Sequence, residues 1–245
     1  MSVTAARERD KELSLLQHLD ELRRRLMVVA IAIGVTTAIS FTFAEQLIRI
    51  LMVPAGVDRL VSLNPTENFT TFMRVALFAG IAFAMPVLLY EVYAYIDPAL
   101  RRHERRFLLT IGPFVLLLFV AGMLFCYFFL LPNAIRFLVN FGSSIIDNQL
   151  RASEYLSFVT TFILAMGLVF EVPAIIFALV KVGVLSRSWL ARQRRYVFLL
   201  VFVVAAIITP TPDPFNQAFV AVPMYLLYEV GLLLARFAGA PRRAS

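Results

Sequence analysis

The chain alternates between long apolar runs and short polar segments rich in arginine. Six apolar runs stand out, at about 26–44, 72–95, 107–131, 156–180, 195–209 and 217–236. About 20 apolar residues carry a helix across the hydrocarbon of a bilayer. The pattern therefore predicts an all-α polytopic membrane protein, with six transmembrane helices in a single membrane domain over 1–245. The fifth run is the short one and suits a locally thinned bilayer or a tilted protein surface. Ahead of the first run, Leu15, Leu16, Leu19, Leu22 and Leu26 recur at helical spacing beside Arg23, Arg24 and Arg25. That spacing predicts an interfacial helix leading into the membrane. The basic start followed by an apolar stretch imitates a secretory signal. The stretch is too long and lacks a convincing small-residue cleavage site, so it is expected to stay as the first span.

Prolines fall within or at the ends of several runs: Pro86, Pro98, Pro113, Pro132, Pro173 and Pro223. Each removes a backbone donor and can bend its helix. Bent helices can enclose a concave face.

Composition agrees with this picture. The chain is 60% hydrophobic and 16% charged, against about 45–50% and about 25% in soluble domains. The net charge of +7 does not point to nucleic acid, because the basic residues lie in short segments between apolar runs. They are also distributed unevenly. Arg7, Arg9, Lys11 and Arg23–Arg25 precede the first run, and Arg101, Arg102, Arg105 and Arg106 sit between the second and third. Lys181, Arg187, Arg192, Arg194 and Arg195 sit between the fourth and fifth, and Arg236, Arg242 and Arg243 follow the sixth. Only Arg49, Arg59, Arg74, Arg136 and Arg151 fall on the other side. Positive charge concentrates on cytoplasmic loops, so both termini are expected in the cytoplasm. A lone Cys126 and two separated histidines give no disulfide and no metal site. No zinc-protease, serine-hydrolase or P-loop motif occurs, so no catalytic residue and no cofactor is assigned.

The informative groups are acids in unusual places. Glu171 interrupts GLVFEVPAIIF near the middle of the fourth run. A charge at that depth costs roughly 2.5–3.5 kcal/mol on insertion scales, so it is expected to avoid lipid. It fits either a buried, hydrogen-bonded acid or a polar spot in a cavity that a client or partner enters. Glu229 lies in the sixth run, and Arg236 is two turns further on the same face. Glu104 is embedded in DPALRRHERR among arginines, and Glu21 lies in HLDELRRRL. Exposed carboxylates beside a membrane can bind cationic ligands, above all guanidinium groups.

HLDELRRRL, NPTENF, YEVYAYIDPALRRHERR, YLSFV, GLVFEVP, TPTPDPFNQ and AVPMYLLYEVG follow one another from about Leu16 to Phe237. In that order they resemble the TatC family, the core receptor subunit of the twin-arginine protein translocase. The resemblance implies a concave, glove-like bundle in the bacterial cytoplasmic membrane. It implies binding of the Arg-Arg signal peptides of folded clients, alongside TatA-like and TatB-like single-span subunits, membrane lipids and further copies in a homo-oligomeric receptor complex. By motif match the signal-peptide surface takes Glu21, Leu22, Arg23, Tyr95, His103, Glu104 and Arg105. Glu171 falls on the family's intramembrane glutamate. Thr209, Asp213 and Gln217 fall where the single-span subunits dock. Two departures are visible: Tyr95 stands where the family often has Phe, and TPTPD is one residue longer than the family's TPPD. From the residues alone, a secondary transporter using Glu171 for a proton or cation and a structural scaffold remain as alternatives.

Overall fold

The computed structural model describes residues 3–57, 59–96, 102–141, 150–209 and 214–237, with the backbone alone for 3–17, 96, 102–109, 215 and 216. Every regular element among these residues is helical: α1 (Val3–Thr42), α2 (Ala44–Met52), α3 (Pro65–Ile96), α4 (Arg102–Phe125), α5 (Leu131–Asn140), α6 (Ala152–Phe170), α7 (Val172–Val182), α8 (Arg187–Arg192), α9 (Arg194–Ile208) and α10 (Pro214–Leu234). A π-helical stretch, Cys126–Leu130, joins α4 to α5. Among the described residues, five helical segments are long and apolar enough to cross a membrane: His18–Thr42, Pro65–Tyr95, Thr110–Asn140, Ala152–Val182 and Gln217–Leu234.

The predicted runs map onto these elements with two differences. The interfacial segment and the first run form one uninterrupted helix, α1, because nothing between Leu15 and Thr42 breaks the ladder. The fifth run is α9, whose 15 residues rise about 22 Å, short of the ~30 Å hydrocarbon. Prolines act in two ways. Pro86, Pro113 and Pro223 lie inside α3, α4 and α10, whereas Pro132 and Pro173 stand in the first turns of α5 and α7. At those two positions the missing N–H is one that a helix start leaves unpaired anyway. Pro98 lies outside the described residues.

Close helix contacts rest on small residues, as expected where lipid removes the hydrophobic drive between helices. α1 crosses α3 at Gly80, where a Cβ would overlap Thr37. There the Thr36 hydroxyl donates to the Gly80 carbonyl at 2.8 Å. α4 and α6 meet through Gly122 and Gly167. Added Cβ atoms would lie 2.6 Å from the Met166 carbonyl oxygen and 2.7 Å from the Phe119 ring. Around α6 the main core gathers Val75, Cys126, Leu130, Leu156, Phe162 and Met166. A smaller core joins α7, α8 and α10 through Ile176, Val180, Leu190, Tyr228 and Leu232. There the Tyr228 hydroxyl donates to the Leu190 carbonyl at 2.7 Å.

Candidate functional site

Two polar clusters form at opposite ends of α3. At its C-terminal end, α3 lies against the N-terminal half of α1. Arg25 reaches across this contact. Its Nε and Nη2 donate to Glu21 Oε1 at 3.1 and 2.6 Å, and its Nη1 donates to Glu91 Oε2 at 3.0 Å. One turn beyond Glu91, the Tyr95 hydroxyl and His18 Nε2 are 2.6 Å apart, and the two rings stack with centroids 4.7 Å apart. The hydroxyl that distinguishes Tyr95 from phenylalanine thus has a partner. Leu22 and Arg23 line an open depression along α1 with Leu19, Leu26, Met27 and Ala30. An apolar strip therefore runs beside the acidic pair. Glu21 and Tyr95 belong to one surface, whereas the side chains of His103, Glu104 and Arg105 lie outside the described residues. Their backbone forms the first turn of α4.

Glu91 and Arg25 were not singled out in the sequence. Glu91 sits in YEVYAYIDPALRRHERR and Arg25 is the last of three arginines, so neither stands out by type. Their signal is spacing: Glu21 and Arg25 are an i,i+4 pair on one helix face.

The N-terminal end of α3 holds the second cluster. Glu67, in the first turn of α3, accepts from the Leu63 and Ser153 backbone N–H groups at 3.1 Å each. It also accepts from Arg151 Nε at 3.1 Å and Nη2 at 3.3 Å. An acid at the third helical position commonly reaches back in this way. Arg151 donates further to Glu154 at 3.2 Å. Its pKa is raised, first by the hydrogen bond to Glu67. Beside these groups the chain on either side pairs as a short parallel bridge, Val61 with Arg151. The Ala152 N–H donates to the Val61 carbonyl at 2.8 Å, and the Val61 N–H donates to the Leu150 carbonyl at 3.0 Å. The Tyr155 hydroxyl donates to the Leu51 carbonyl at 2.7 Å. Segments far apart in sequence are thereby fastened into a cap.

Glu171 occupies the break between α6 and α7. Its N–H donates to the Leu168 carbonyl at 3.1 Å, and its own carbonyl accepts from Ile175 at 2.9 Å. The side chain is 6% exposed, and Oε1 has no hydrogen-bond partner among the described residues. Burial within the protein agrees with the insertion cost that argues against a lipid-facing acid.

Toward the C-terminus, Gln217 Nε2 donates to the Phe202 carbonyl at 2.8 Å, tying α10 to α9. Thr209 is buried, and its hydroxyl donates to the Ala205 carbonyl at 2.9 Å. Asp213 lies outside the described residues. Outward from α9 project Leu199, Leu200, Val203 and Ile207, all exposed. Glu229 pairs with Arg194 at 2.8 Å and accepts from Tyr225 at 3.2 Å. Arg194 stands on the neighbouring helix, α9; Arg236, two turns further along the chain, is too far for a direct i,i+4 pair.

Residues 17–223 match the family described as Sec-independent protein translocase protein (TatC). The chain is 36% identical over 230 residues to the Sec-independent protein translocase protein TatC of Carboxydothermus hydrogenoformans, covering 93% of this chain and 95% of that protein. It is 37% identical over 235 residues to the chloroplastic TATC of Arabidopsis thaliana, covering 94% of this chain and 68% of the relative. A crystal structure of a twin arginine translocase receptor, TatC, superposes with a TM-score of 0.82 at 36% identity, covering 90% of this chain and 99% of that one.

Proposed function

The chain belongs to the TatC family of Sec-independent protein translocase proteins, and on that premise we propose that it is a receptor for the Arg-Arg signal peptides of folded export clients. The observation that carries this reading is the Arg25 site. Two carboxylates on neighbouring helices, Glu21 and Glu91, already hold a guanidinium between them. A client arginine presents the same group. It exchanges with Arg25 for these acids, and its partner arginine extends toward Glu104 on the first turn of α4. The apolar part of the signal peptide follows the depression beside Leu22. Arginine suits this exchange better than lysine, because its planar fork offers several donors at once. His18 and Tyr95 position the rim where α1 meets α3.

The rest of the proposal rests on the resemblance to the family. The chain lies in the bacterial cytoplasmic membrane with both termini inside, as a six-span, glove-shaped bundle in which α9 is the short span. Glu171 forms the polar floor of its concavity. TatA-like and TatB-like single-span subunits dock along α9 and α10 around Thr209, Asp213 and Gln217, and several copies form the receptor complex. Photo-crosslinking of an Arg-Arg signal peptide to the purified complex tests the reading. Glu104→Ala and Glu104→Gln are expected to abolish the crosslink and export while the protein remains inserted. Normal crosslinking in both variants removes Glu104 from the site. A C-terminal reporter that is active only outside the cytoplasm, if it lights up, overturns the topology.

A further inference from the structure

At the cap end, α2 and the turn after it stand beside the starts of α3 and α6 and enclose an open-sided cavity of about 790 Å³. None of the roles assigned above uses it. Its wall contains Thr71, which is 5% exposed and whose hydroxyl has no hydrogen-bond partner among the described residues. A buried polar group left unpaired is costly, and this one belongs to a residue of the cavity wall. One turn earlier on α3, Asn68 lines the same space, as i,i+3 spacing requires. Arg49 and Arg59 line it as well. Glu45 lines the cavity too and accepts from Arg49 at 2.7 Å; a guanidinium carries five donors, so that bond leaves others available. Beneath these groups the lining is apolar, with Met52, Phe72 and Leu156.

Position along the fold adds the second half of the chemistry. The cavity lies where α1 ends and α3 and α6 begin, at the edge of their apolar segments. Around it Ile50, Val53 and Phe69 are exposed, as suits side chains resting against hydrocarbon. Guanidinium, amide and hydroxyl donors above an apolar floor, at a membrane edge, match an amphiphile with an anionic head. The volume falls within the ~300–1,000 Å³ typical of small-molecule sites. We propose that this cavity binds the phosphodiester headgroup of an anionic phospholipid from the adjoining leaflet. Arg59 and Arg49 meet the phosphate, Thr71 donates its hydroxyl to a phosphate or ester oxygen, and the first methylenes of an acyl chain lie on Phe72 and Met52. The site is independent of the signal-peptide surface at the other end of α3.

Native mass spectrometry of the purified full chain tests this, with titration of phosphatidylglycerol, phosphatidylcholine or glycerol 3-phosphate. Phosphatidylglycerol is expected to bind about tenfold more tightly than phosphatidylcholine, whose choline cation Arg49 and Arg59 disfavour. Arg59→Gln together with the isosteric Thr71→Val should bring the two lipids level without lowering the melting temperature. Arg136→Gln, an exposed arginine on α5 outside the cavity, should leave the preference intact. Equal retention of both lipids by the unaltered chain overturns the proposal, as does an equal loss of preference in Arg136→Gln. Displacement of phosphatidylglycerol by an equal concentration of glycerol 3-phosphate also overturns it, since the site would then recognise a free phosphate rather than a lipid.

Discussion

The two ends of α3 each carry a glutamate bound to an arginine of another segment, yet they are built differently. At the cap, the Glu67 side chain is 5% exposed, and two of its donors are backbone N–H groups fixed on either side of the bridge. Nothing there can exchange without opening the cap. At the opposite end, Glu21 and Glu91 share one long side chain, that of Arg25, and Glu21 remains 32% exposed. A flexible stem holding a guanidinium at a partly wet site can swing away and be replaced by another guanidinium. The same pair of residue types thus serves as a fastening at one end and, on the function proposed above, as a receptor at the other. What separates them is the number of donors anchored to the backbone.

That contrast is broken most severely at the cap. Glu67→Ala leaves two backbone N–H groups without their acceptor and Arg151 with Glu154 alone. It is expected to lower the melting temperature in detergent by several degrees and to reduce membrane protein level and export in parallel. Circular dichroism and immunoblotting measure both. An unchanged melting temperature would mean that the cap is held by its bridge and Tyr155 alone. At the other end, Glu21→Gln combined with Glu91→Gln should leave the melting temperature near that of the parent. Crosslinking of an Arg-Arg peptide should fall about tenfold, as expected for the loss of charge-assisted hydrogen bonds. Parallel losses of stability and crosslinking would make this cluster a fastening too.

Glu171 offers an intermediate case, a buried acid with an unpaired oxygen at a helix break. Glu171→Ala should reduce export more than protein level, whereas Glu171→Gln, which retains hydrogen-bonding capacity, should keep part of the activity. Loss of export in strict proportion to protein level would assign the acid to structure. The smallest effect is expected at α9 and α10. Thr209 and Gln217 already bond within the chain, so replacing both with Leu should weaken retention of a single-span subunit only severalfold, in line with the ~1 kcal/mol of an interhelical hydrogen bond. Quantitative co-purification reads this, and unchanged retention would move the docking surface to the exposed apolar side chains of α9.

Much of this architecture is legible along the chain, because hydropathy in a membrane protein reports the helices directly. The short fifth run and the place of Pro173 in the first turn of α7 follow from run length and from proline's missing donor. The continuity of α1 is harder to see: the change in polarity near Leu26 suggests a boundary that the backbone does not make. The partners of the acids are largely invisible. Glu67 meets Arg151 across 84 positions, and Glu229 meets Arg194 across 35. In each case several arginines were available and only the packing of helices selects one. Arg25 was hidden differently, as one of three consecutive arginines of which only the last faces both Glu21 and Glu91.

The receptor claim is tested most directly by placing a photo-reactive amino acid at Leu22, beside the acidic pair, or at Leu63, beside the cap. Each form is then presented with an Arg-Arg signal peptide and with its Lys-Lys counterpart. The account predicts a crosslink from position 22 that the Lys-Lys peptide forms poorly and that Glu21→Gln with Glu91→Gln suppresses, and none from position 63 before transport begins. Equal crosslinking of both peptides at position 22, or a first contact at position 63, would contradict it.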